Sequence, residues 1–118
     1  MAQRKSLVEQ VEANLPRLDE RPEFAGDQFW LTFYLMGQPD NLRQVAATLK
    51  ARGWVNVEGW EGAFLYPKVQ VQKSVDAVVR AAEATHALCV PHGIKILNID
   101  ADTTSDVERS QFVTLFRS

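Results

Sequence analysis

The sequence predicts one α+β domain spanning residues 1–118. Three observations carry this. An aromatic run at 29–37, apolar on both faces, reads as a strand. Two segments, 39–53 and 74–90, repeat apolar residues at helical spacing. The chain has 118 residues, 46% hydrophobic and 24% charged, enough to close a core without disulfides or a metal.

Residues 3–15 read as an amphipathic helix, with Leu7, Val11 and Leu15 four apart and Val8 alongside. Pro16 ends it, and "RLDERPEFAGDQ" is a charged connector without period. "FWLTFYLMG" is a strand apolar on both faces: Phe29, Leu31, Phe33 and Leu35 on one, Trp30, Thr32, Tyr34 and Met36 on the other. Such a strand belongs in the middle of a sheet. "PDNLRQVAATLKARG" is a helix capped by Asp40 or Asn41, with Leu42, Val45, Ala46 and Leu49 inward and Gly53 at its C-terminal end.

"WVNVEGWEGAFLYPKVQVQ" reads as a hairpin turning at Gly59 and Gly62, with Pro67 marking a bulge, an edge or a strand end. A helix capped by Ser74 runs to about Val90, and "GIKILNIDAD" is the last core strand. Phe112, Val113, Leu115 and Phe116 make the tail, 103–118, too apolar to be free, so it is expected to dock on the domain or on a partner. The core, 29–102, thus runs strand, helix, strand, strand, helix, strand. That order is the ferredoxin-like βαββαβ arrangement: an antiparallel sheet with both helices on one face, here with an extra N-terminal helix and a docked C-terminal tail.

Composition narrows function. A net charge of −2 gives no general attraction to nucleic acid or anionic membranes. The single cysteine forms no internal disulfide, no apolar run approaches membrane-spanning length, and acidic residues stand where a signal peptide would be apolar. A soluble cytoplasmic protein is expected.

"THALCVPHG" holds both histidines and the cysteine, with His86, Cys89 and His92 three apart. Val75, Val79, Ala82, His86 and Cys89 share one helical arc, so His86 and Cys89 read as inward-facing architecture. Structural zinc wants four ligands at known spacings. "NIDADTTSD" lacks the glycine and glutamate of a calcium loop and reads as a solvated strand end. No catalytic residue, cofactor or metal is expected.

The candidate interaction surface is aromatic: Trp30 and Tyr34 on one face of the first strand, Phe64 and Tyr66 on its neighbour, flanked by Lys68, with Phe112 and Phe116 from the tail. Three covers compete for this face. They are the docked tail, a second subunit or other protein partner, and stacked RNA bases, which the scarcity of nearby basic residues disfavours. Trp54 and Trp60 bracket the second strand, as interface anchors or, for Trp54, as a cover over the helix end at Gly53.

With this layout, the chain resembles the ferredoxin-like regulators of ribonuclease E activity, type B (RraB-like). The likeness rests on "QFWLTFYL", on "LKARGWVNVE" and on "ATHALCVPHGIKI", and it covers residues 5–102. That family's last strand carries a Tyr-Asp-Gly-Trp signature. This chain has "LNID" there, so Asp100 alone corresponds, and "SQFVTLFRS" replaces the acidic tail of the best-known members. The resemblance implies a non-enzymatic regulatory protein that binds a protein partner, a ribonuclease among the candidates; the aromatic face by itself equally suits self-association as a homodimer. The alternative is a small-molecule-sensing or nucleic-acid-binding domain of the same fold.

Overall fold

The aromatic run becomes the central strand of a five-stranded antiparallel sheet. The computed structural model describes residues 2–58, 62–106 and 111–118, with side chains from residue 6 onward. Its elements are α1 (Ala2–Asn14), β1 (Gln28–Met36), α2 (Pro39–Ala51), β2 (Phe64–Leu65), β3 (Lys68–Gln72), α3 (Val75–Cys89), β4 (Lys95–Asp102) and β5 (Phe112–Arg117). On one side β1 pairs with β2 and β3; on the other it pairs with β4, which in turn pairs with β5.

One face of β1 supplies the core. Phe29, Leu31, Phe33 and Leu35 are buried in one cluster with Leu42, Val45, Ala46 and Leu49 of α2, Val78, Ala82 and Cys89 of α3, and Leu7 and Val11 of α1. All three helices therefore lie on the same side of the sheet. The connector read as charged and without period forms two 3₁₀ turns, Leu15–Glu20 and Pro22–Phe24. They bury Leu18 and Phe24, and the Phe24 ring meets Phe29 edge-on at 6.4 Å.

Helix starts differ in how they are capped. Ser74 Oγ accepts from Ala77 N–H at 3.1 Å, as its position predicts. At α2 neither Asp40 nor Asn41 is the cap. Gln38 holds that position without a side-chain bond, because Pro39 at the first helical residue removes one donor that would need capping. Asn41 Nδ2 instead donates to the His92 carbonyl at 3.1 Å, tying α2 to the turn after α3.

The strand predicted at 54–57 shrinks to one bridge, Val55 with Lys68. Asn56 takes a left-handed φ of +57°, which breaks the extended path, and its side chain donates to the Tyr66 carbonyl at 2.7 Å. Pro67 separates β2 from β3; it has no N–H to give, and its carbonyl accepts from Phe33 N–H at 3.0 Å.

The described end of the tail, 111–118, does not lie over the aromatic face. It extends the sheet as β5, and α1 seals that edge: Gln10 bonds both the N–H and the carbonyl of Arg117, and Asn14 Nδ2 reaches the Leu115 carbonyl at 3.1 Å.

Candidate functional site

The sheet face opposite the helices is where functional side chains gather, and register puts them there. Trp30 lies between Asp102 of β4 and Gln70 of β3. Thr32 lies between Asp100 and Lys68, and Tyr34 lies beside Asn98. A bulge in β4 makes this possible: Tyr34 pairs with Asn98 and Leu35 with Ile96, leaving Leu97 as the extra residue. Ile96 and Ile99 thus both face the core while Asn98, Asp100 and Asp102 share the open face.

Four polar residues of this face are buried: Lys68, Asp100 and Asp102 at 3%, 2% and 3% exposure and Thr32 at 5%. Lys68 Nζ donates to Thr32 Oγ1 at 2.6 Å and to Asp102 Oδ2 at 2.9 Å. The Thr32 hydroxyl donates to the same Asp102 oxygen. Asp100 Oδ1 accepts from Asn98 Nδ2 at 2.5 Å, and its carboxylate is also hydrogen-bonded to Tyr34. Burial, the Asp100 bond and the charges of Asp100 and Asp102 together push the Tyr34 phenol well above its ordinary range, so it stays protonated. Lys68 is therefore the anchor of a desolvated ion pair rather than a flank of the aromatic patch. Asp100 and Asp102 are not a solvated strand end; the bulge and the pairing with β1 draw them inside.

Around this cluster stand the aromatics. Trp30, Tyr34 and Tyr66 are half-buried, Phe64 is 37% exposed and Phe112 is 57% exposed. Tyr34 and Tyr66 meet edge-to-face at 5.2 Å, and Phe64 lies parallel to Tyr66 at 6.5 Å. Phe116 is not part of this surface. It pairs with Ile99 and is 3% exposed, because the β4–β5 register skips Leu115 and turns Phe116 to the core. Trp54 belongs to the core side, packed on Phe33 at 5.3 Å. Trp60 lies outside the described residues.

His86 and Cys89 separate in role. Cys89 is fully buried, whereas His86 is half-buried and lines a cleft of about 310 Å³ with Val90, Ile94 and Lys95. Among the described residues no three His, Cys, Asp or Glu side chains converge as a metal site would require. Burial pushes the Cys89 thiol up to about 11. At pH 8 the folded protein is expected to react with a chromogenic disulfide reagent at least about 100-fold more slowly than the urea-unfolded chain, since only the thiolate attacks. Equal rates would show that Cys89 is accessible.

The chain matches no family model, no curated protein and no solved structure.

No helix among the described residues is long and apolar enough to cross a membrane. The site is thus an aromatic sheet face over a buried Lys–Asp–Thr–Asp–Asn–Tyr network. Sequence reading finds its rim but not its centre. Chemically the centre holds its groups in mutual hydrogen bonds, and among the described residues no buried side-chain polar atom is left unpartnered. The rim offers apolar contact area and ring faces.

Proposed function

We propose that this is a ferredoxin-like, non-enzymatic cytoplasmic binding module whose partner is a protein, docked on the open sheet face. The observation that carries it is an aromatic row that no described element covers: Trp30, Tyr34, Phe64, Tyr66 and Phe112 on the side of the sheet away from all three helices. Strand order supports the fold reading. Val55 keeps the second strand of the βαββαβ pattern as a single bridge beside β3, and β5 is an addition at the opposite edge. The resemblance to ribonuclease E regulators, with Asp100 at the corresponding position of their last strand, makes ribonuclease E the first partner to try.

The test uses Phe64→Ser with Phe112→Ser. Both side chains are exposed, so the fold should survive. Size-exclusion chromatography with light scattering, with and without the ribonuclease E of the same organism, should show a complex or self-association that the double variant loses by about tenfold or more in affinity. A variant that associates as tightly as the unaltered protein overturns the assignment of this face.

A further inference from the structure

We propose that the open face takes an arginine side chain of its protein partner, seated on the Tyr34 and Tyr66 rings above Asp100. This rests on the reading of that face as a protein-binding surface and adds the chemistry of the occupant.

The argument begins with charge. Two carboxylates, Asp100 and Asp102, and one ammonium, Lys68, are buried together. The ammonium is held by Asp102 and Thr32. Among the described residues, the donors to Asp100 are the neutral groups of Asn98 and Tyr34. Arg117 and Lys95 stand across from Asn98 and Met36 on the same face, but both are exposed, and neither forms an ion pair with Asp100. Solvated charges are screened, whereas a buried one acts through little water. Among the described residues, the centre of the face therefore sets two buried carboxylates against one buried ammonium.

Ring geometry makes that charge legible from outside. Asp100 itself is sealed, and half-buried Tyr34, one cross-strand position along on the same face, is hydrogen-bonded to its carboxylate. A phenol that donates to a carboxylate becomes more electron-rich at its oxygen and ring, which strengthens its attraction for a cation. Tyr66, edge-to-face with Tyr34, supplies a second ring at an angle. Guanidinium suits this surface better than ammonium. It is planar, weakly hydrated and stacks on aromatic rings while its edge donors remain free for an oxygen acceptor.

Three nine-residue probe peptides test this, identical except for three positions that carry arginine, lysine or citrulline. Each is titrated into ¹⁵N-labelled protein and followed by NMR. The arginine peptide should shift the Tyr34, Tyr66 and Asn98 resonances and bind about fivefold or more tighter than the lysine peptide, with citrulline weaker still. Asp100→Asn should weaken the arginine peptide by about fivefold. Tyr66→Ala, which removes a ring without touching the hydrogen-bonded cluster, should do the same and guards against misfolding of the buried variant; thermal melting checks both. Equal binding of the citrulline peptide, or of both variants, overturns the inference. So does tighter binding of an oligouridylate at the same resonances, which would assign the rings to base stacking. If Phe64→Ser with Phe112→Ser abolishes partner binding while Asp100→Asn leaves it intact, the face stands and the arginine falls. If neither set of changes matters, both fall.

Discussion

Replacing Lys68 with methionine is expected to lower the unfolding free energy by about 3–5 kcal/mol in urea titrations followed by circular dichroism. The Lys68 and Asp102 side chains are 3% and 4% exposed and 2.9 Å apart. Removing the ammonium leaves the Asp102 carboxylate out of water with only the Thr32 hydroxyl on the oxygen it shared with Lys68. The penalty is the desolvation of that orphaned charge, not the worth of the pair itself. The companion Lys68→Met with Asp102→Leu should recover most of the loss, because two apolar side chains carry no such penalty. A single-variant loss below about 1 kcal/mol would mean that the pair behaves as a solvated surface bridge. The pair's position ties stability to function, since it lies beside Asp100 and Thr32 at the centre of the proposed binding face.

Phe116→Ala is expected to cost about 3–5 kcal/mol in the same assay, and Phe112→Ala to stay within about 0.5 kcal/mol of the unaltered protein. The two rings are four residues apart on one strand, yet Phe116 is 3% exposed and Phe112 57%. Truncating the first opens a cavity between the sheet and the helices; truncating the second exposes nothing new. Similar costs for both would contradict the β4–β5 register. Phe112→Ala should also weaken partner binding without a shift in melting temperature, separating the docking face from the core.

Legibility followed from whether a signal was local. The double-sided apolar pattern of residues 29–36 made β1 central. The spacing of Leu42, Val45, Ala46 and Leu49 named the buried stripe of α2, and Ser74 named the start of α3. Each depends on contacts within a few residues or on one face of one element. Placing Phe116 on the same face as Phe112 failed for a definable reason: strict alternation puts residues four apart on one face, and the extra residue Leu115 breaks the count. The same arithmetic hid the polar centre. Ile96 and Ile99 cannot both face a core across a regular strand, so the extra residue at Leu97 was a readable signal. With it, Asn98, Asp100 and Asp102 fall on the face of Tyr34, Thr32 and Trp30.

The sequence by itself determined the α+β class, the order of the elements, the core face of β1 and the aromatic rim, because alternation, helical spacing and capping chemistry act over short stretches. Tertiary structure alone decided that the tail is a fifth strand, that the second strand is one bridge, and that Lys68 shares a dry centre with two aspartates. Those outcomes depend on register between segments far apart in the chain. A shift of one residue in register carries every following side chain to the opposite face.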